Sequence, residues 1–230
     1  MTAVGFPAFP ATQRKPGRFA STWWGNAWLQ AMEDTSLDLQ QLKRGRRFAY
    51  AGLVGPITAS PGRIAAQVYG EDGSLYNTVV LVDRLTEAQW RRFLDEVAGK
   101  AGHLAALLDR DMPRDLVIAA ADADVALLPG IGDLQPECDC DGWELPCRHA
   151  AALSFQTSWL LDADPFVLLL LRGLGRSELT DELRARAARR TAAVSQPPVA
   201  VVPGVDPAEL TAVVARGAER AKALLVNYGE

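Results

Sequence analysis

Apolar positions recur at two different spacings along the chain, and the changes of spacing mark the expected elements. Ser21 or Thr22 caps a helix that runs to about Glu33, with Trp24 and Trp28 four apart on one face. Residues 47–58, 63–69 and 75–82 read as three strands of an antiparallel meander. The turn signals between them are Ser60-Pro61-Gly62 and Glu71-Asp72-Gly73-Ser74. Lys43-Arg44-Gly45-Arg46-Arg47, just ahead of the first strand, reads as a solvated basic turn. Thr86-Glu87-Ala88-Gln89 is a capping box and opens a helix through about Asp109. Its expected buried stripe is Trp90, Phe93, Leu94, Val97, Ala101, Leu104 and Leu108, with His103 beside it as a surface histidine. A short helix is expected over 113–124, and 127–136, with its two Gly and two Pro, reads as irregular.

Helical spacing resumes from about Arg148 to Leu161, again from Asp164-Pro165, and from Ser177 to Arg190. Ser195-Gln196-Pro197-Pro198 and Val199 to Gly204 have linker composition. Asp206-Pro207-Ala208-Glu209 then caps a last helix ending near Leu225 or Val226. The resulting class is α+β: a small antiparallel meander with helices, followed by a largely helical part. The expected division is a flexible arm at 1–18, an N-terminal α+β domain at 19–125, a unit at 126–192, and a linker with a C-terminal helix at 193–230. No internal repeat is visible.

Composition narrows the picture only a little. At 230 residues and 49% hydrophobic, the chain has enough apolar surface for a substantial core, in one large domain or two small ones. No apolar run approaches membrane-spanning length, and the first ten residues lack the charged leader and apolar core of a signal peptide. Charge is more informative. Residues 1–70 carry eight Lys/Arg against three Asp/Glu, whereas residues 71–170 carry seven against eighteen. The middle of the chain would repel phosphate; the basic N-terminal cluster would not.

The chemistry is concentrated in twelve residues. All three cysteines, Cys138, Cys140 and Cys147, lie there with His149, one of two histidines in the chain. Three thiolates and an imidazole complete a tetrahedral zinc shell, and soft sulfur disfavours magnesium or calcium. In extended backbone Cys138 and Cys140 point to the same side. Cys147 and His149 are also two apart, which on a helix would separate them. They share a metal only if Cys147 sits at or before the helix start, as Pro146 and the run Ala150-Ala151-Ala152-Leu153 suggest. The competing readings are structural cysteines or a disulfide, an iron–sulfur or redox site, and a catalytic zinc. Each is weaker, because every cysteine clusters beside a histidine and four ligands leave no open catalytic position.

Cys-x-Cys followed by a short loop and Cys-x-His resembles the SWIM zinc finger. The resemblance extends to actinobacterial-type SWIM proteins through the tryptophan-rich stretch Phe19 to Trp28, the Gly45-Arg46-Arg47 element, and Leu160 to Gly173, covering about residues 19–185. It implies one structural zinc held by Cys138, Cys140, Cys147 and His149, and binding of DNA, of a protein, or of both, with a Swi/Snf-type helicase as the implied partner. The residues themselves depart from that picture in one respect. The loop between the ligand pairs has Asp139, Asp141 and Glu144 and no basic residue.

Candidate phosphate contacts are therefore Lys43, Arg44, Arg46, Arg47 and Arg148, and candidate partner contacts are Trp23, Trp24 and Trp28. Trp23 would point away from the Trp24/Trp28 stripe. No phosphate-binding loop and no nucleophile elbow is present, and the Asp139/Asp141 pair reads as a solvated loop. The expected function is a non-enzymatic, zinc-binding accessory protein of a reducing, cytoplasmic compartment. A protein-binding scaffold without DNA contact, or an enzyme with an unrecognised site, are the alternatives. No small-molecule substrate and no membrane contact are expected.

Overall fold

A computed structural model describes residues 3–13, 17–194 and 211–219 of the chain. The chain divides into two units, Met1–Arg186 and Ala187–Glu230. In the first, the elements in order are β1 (Val4–Phe6), α1 (Trp23–Thr35), α2 (Leu39–Tyr50), β2 (Ile57–Ser60), β3 (Arg63–Tyr69), β4 (Leu75–Val82), α3 (Glu87–Gly99), α4 (Ala101–Leu108), α5 (Arg114–Asp122), β5 (Leu134–Cys138), α6 (Arg148–Ala163) and α7 (Phe166–Leu171), then α8 (Arg176–Val194), which continues into the second unit. In the second unit residues 211–219 are helical and exposed. The expected Ser195–Gly204 linker, the Asp206 cap and the helix end near Leu225 lie outside the described residues.

The five strands form one antiparallel sheet in sequence order, β1-β2-β3-β4-β5. Pro61 and Gly62 close the β2–β3 hairpin, with Gly62 at φ +78° where a side chain would be strained. Burial alternates along β3 and β4, so Ile64, Ala66 and Val68 line one face together with Thr78, Val80 and Val82. Helix α6 packs on that face and also touches α1, α2 and α7.

Helix α6 is buried on nearly every side from His149 to Leu161, although it carries Ser154, Gln156, Thr157 and Ser158. Each of these polar side chains finds a partner. Ser154 Oγ accepts from Trp28 Nε1 at 3.0 Å, Gln156 donates to the Ala49 carbonyl at 2.9 Å, and Thr157 and Ser158 bond back to the Leu153 and Phe155 carbonyls. Against α6, α2 approaches so closely that a Cβ on Gly45 would clash with Ala151 Cβ and lie 2.8 Å from the Arg148 carbonyl oxygen.

Several expectations change here, each for a physical reason. The basic turn and the first half of the 47–58 strand are helix α2. Asp38 caps it by accepting from Gln40 N at 2.7 Å, and Leu42, Gly45, Phe48 and Ala49 repeat at helical spacing on its buried face. Only the last two residues of the 47–58 stretch belong to a strand, β2 (Ile57–Ser60). The stretch 127–136 is not irregular throughout: it leads into β5, which pairs with β4, and Pro136 is tolerated because β5 is an edge strand.

The arm at 1–18 is docked where described, with Val4–Phe6 paired to β2 and Thr12 N donating to the Tyr50 carbonyl at 2.8 Å. The long helix from 86 keeps its capping box but breaks at Lys100. That break rotates the stripe, so Leu107 and His103 are buried and Leu108 is half exposed. His103 is thus a core histidine only 3% exposed, its Nε2 2.9 Å from Asp115 Oδ2. A boundary near 125/126 does not divide the first unit, because β5 completes the sheet and α6 is its central helix.

The α2–α6 contact yields a test. Replacing Gly45 by Ala should gain roughly 1 kcal/mol of helix propensity. It should nevertheless destabilise the protein by about 1–3 kcal/mol, because two backbones must separate. Urea unfolding of the G45A variant measures the net sign; a more stable variant would show that the helices are free to move apart.

Candidate metal centre

Strand β5 delivers Cys138 at its last residue, and the chain then turns outward through Cys140. The turn is held to the sheet by Asp139, whose carboxylate accepts from Asn77 N at 2.8 Å and from Asn77 Nδ2 at 2.7 Å. A single intervening residue, itself clamped to Asn77, keeps both thiols on one side. The loop returns over α2, where Gln41 Nε2 donates to Glu144 Oε1 at 3.1 Å. Cys147 is the N-cap of α6, in extended conformation at φ −70° and ψ 169°, and its sulfur accepts from Ala150 N at 3.5 Å. This solves the spacing problem: Cys147 stands just outside the helix and His149 in its first turn.

The four ligand atoms lie within 4.8 Å of one another. His149 Nδ1 faces the sulfurs, 3.7 Å from Cys138 Sγ and 3.9 Å from Cys147 Sγ. Tetrahedral zinc with bonds of about 2.3 Å to sulfur and about 2.0 Å to nitrogen places such ligands roughly 3.5–3.8 Å apart, so the donor chemistry fits and a modest contraction of the cluster brings the spacing to that of a zinc shell. The imidazole is fixed by its surroundings, stacked on Tyr76 with centroids 4.4 Å apart and flanked by Phe48 at 5.7 Å. Thr78 Oγ1 lies 3.5 Å from Cys138 Sγ. These neighbours orient the donors without supplying further ligands.

The electrostatics favour a cation at the centre. The hydrogen bond with the Cys147 thiol pulls Cys138 down to about 3. Its thiolate and burial in turn push Cys147 up, and burial raises Cys140. Three crowded sulfurs therefore resist full ionisation on their own, and a divalent metal displaces the retained protons. With zinc, three thiolates and one neutral imidazole leave a net charge of −1 and a filled shell. The site builds and fixes local structure and offers no open coordination position.

The other candidate residues separate. Lys43, Arg44 and Arg47 share the exposed side of α2, and the Arg148 backbone abuts Gly45, with its guanidinium 3.8 Å from Glu71. Arg46 does not join them: its guanidinium lies 5.4 Å over the Phe19 ring and faces Glu33. The tryptophan assignment is corrected more fully. Trp24 and Trp28 are 5% and 0% exposed, and donate to the Leu161 carbonyl at 2.7 Å and to Ser154 on α6. They are core, because α1 packs its Trp24/Trp28 face on α6. Trp23 is half-buried, donating to the Met112 carbonyl at 3.1 Å under the Arg114 guanidinium. The exposed tryptophan is Trp143, in the finger loop, 88% accessible. Its signal in the sequence was its position: it lies between two ligand pairs, in a loop too short to bury it.

An edge strand, a short loop and the first turn of a helix, joined by three sulfurs and one imidazole, define a structural zinc finger. Residues 123–157 match the SWIM zinc finger family model, so the chain carries that module. It is also similar to the uncharacterized protein Rv2102 of Mycobacterium tuberculosis, at 31% identity over 173 residues, which are 75% of this chain and 62% of that protein. The chain thus spans less than two thirds of the relative's length. No solved structure matches. Among the described residues no helix is long and apolar enough to cross a membrane.

Metal analysis should find one zinc per chain, and a Cys147→Ala variant should lose it. Chelation should lower stability by on the order of several kcal/mol, read as a fall in the thermal midpoint. Asp139→Ala removes only the Asn77 clamp and should weaken zinc binding roughly tenfold in a competition titration; unchanged affinity would show that the clamp does not position Cys138 and Cys140.

Proposed function

We propose that this chain is a non-enzymatic, cytoplasmic accessory protein of DNA transactions, which binds a Swi/Snf-type helicase and touches DNA through α2. The observation that carries the reading is the filled zinc shell: the metal has no position for substrate and serves to hold a loop. A chain whose metal only shapes its surface acts through what that surface binds. The resemblance to SWIM modules, which are associated with DNA and protein binding, supplies the partner class.

The surface supports a division of labour. Lys43, Arg44 and Arg47 are exposed on one helix and suit phosphate, whereas the Arg148 guanidinium is turned to Glu71. The finger loop suits a protein, because its acids repel phosphate. That acidity also favours a second reading, a scaffold that binds protein alone and never contacts DNA.

DNA titration at several salt concentrations separates the two. On the first reading wild type binds, and changing Lys43, Arg44 and Arg47 to Ala reduces the salt slope by up to about 3 units. Arg46→Ala should leave the slope unchanged and lower stability instead, since Arg46 is packed on Phe19. Absence of any salt-dependent DNA binding by wild type selects the scaffold. Purification from the native cells without a helicase or other DNA-processing protein would remove the accessory role.

A further inference from the structure

The finger loop presents apolar side chains where a solvated loop should be polar. Trp143 is 88% exposed and Leu145 is 65% exposed. Neither is a loose end. The loop is tied at Cys140 and Cys147 by the metal, and in between Glu144 is turned toward Gln41 of α2. With Glu144 facing inward, its two neighbours face out. Holding large apolar side chains in a rigid loop removes much of the entropy cost of binding through them.

Beside Leu145 a groove of about 550 Å³ runs along edge strand β5, lined by Thr35, Gly132, Leu134, Pro136 and Cys138 as well as Leu145. Knob and groove lie side by side. The charges carried by this stretch of chain have one sign. Residues 133–144 contain Asp133, Glu137, Asp139, Asp141 and Glu144 and no Lys or Arg. Glu137, Asp139 and Asp141 are exposed, and the zinc shell adds a further net negative charge rather than cancelling any.

We propose that the finger loop and the β5 groove form a docking site for a basic, partly apolar segment of a partner protein. An apolar side chain enters the groove beside Leu145. An arginine guanidinium or aliphatic stem lies on the Trp143 face, where cation–π attraction adds to burial. Flanking Lys or Arg side chains meet Glu137, Asp139 and Asp141. Charge complementarity selects this occupant: a nucleic acid would set phosphates against the exposed Glu137, Asp139 and Asp141, and a second copy of this acidic face would repel itself. The inference rests on the reading of the chain as a binding module and names the surface that does the binding.

The test uses the full zinc-loaded chain and short fluorescein-labelled peptides, followed by anisotropy. An alternating Arg/Leu peptide should bind. An Arg/Ser peptide of equal length and charge should bind far more weakly, and a Glu/Leu peptide not at all. Trp143→Ala and Leu145→Ser should each weaken Arg/Leu binding by roughly tenfold to 30-fold, with zinc content and thermal midpoint unchanged. Should either variant lose zinc, the double charge reversal E137K/D141K replaces it, and is expected to exchange preference from Arg/Leu to Glu/Leu peptide.

Equal binding of Arg/Ser and Arg/Leu peptides would reduce the effect to bulk charge and overturn the proposal. So would unchanged affinity in the folded variants, a DNA duplex whose binding is lost with Trp143, or self-association lost with Trp143. If a duplex binds through α2 while no peptide binds the loop, this inference fails and the binding-module reading stands; if neither binds, both fail.

Discussion

The close approach of α2 to α6 at Gly45 is the constraint on which the site depends. It fixes the height and rotation of the start of α6, which carries Cys147 as its N-cap and His149 in its first turn. From the other side, β4 fixes the Cys138–Cys140 turn through Asn77 and Asp139 and presses Tyr76 on the imidazole. The ligands are thus brought together by packing that does not itself require metal. Zinc then joins the edge strand to the central helix across a loop with no regular structure of its own.

This divides the stability of the molecule in two. Small zinc modules fold only with metal, because their binding energy is their folding energy. Here the apolar core extends from Trp28 and Phe93 to Leu168 and Leu169, far beyond the finger. Loss of zinc therefore acts first on residues 139–146 and on the fraying end of β5. The sheet, α1 and α6 retain their own contacts.

The metal set was legible in the sequence because its four donors are local: Cys138 to His149 span twelve positions, and the chemistry of sulfur with imidazole needs no tertiary information. The Thr86 capping box and the β3 and β4 strands were legible for the same reason. What failed depended on distant partners. Helix α2 is dense in Lys and Arg, and its helical stripe of Leu42, Gly45, Phe48 and Ala49 is narrow. Gly45, a poor helix former, is chosen there for its contact with α6. Strand β5 carries Pro136 and makes its pairing with β4 across some fifty intervening residues. His103 was read on a helix assumed unbroken, and one break at Lys100 turned it inward.

The tryptophans show why exposure cannot be argued from helical angles alone. Trp23 does leave the Trp24/Trp28 stripe, but leaving one face of α1 brought it against another part of the core, where Met112 accepts its N–H and Arg114 covers its ring. Trp143 has no such second surface: it sits in a short loop anchored at Cys140 and Cys147, with Glu144 beside it turned to α2. The same geometry assigns the charges. The cations of α2 and the acids of the finger lie on surfaces joined by the Gln41–Glu144 bond, and they are of opposite sign. No single polyanion can satisfy both. If DNA is bound, the helix must hold it and the finger must face away from phosphate. On the proposed reading, the finger loop is then left to a protein partner, and any phosphate contact falls to the helix.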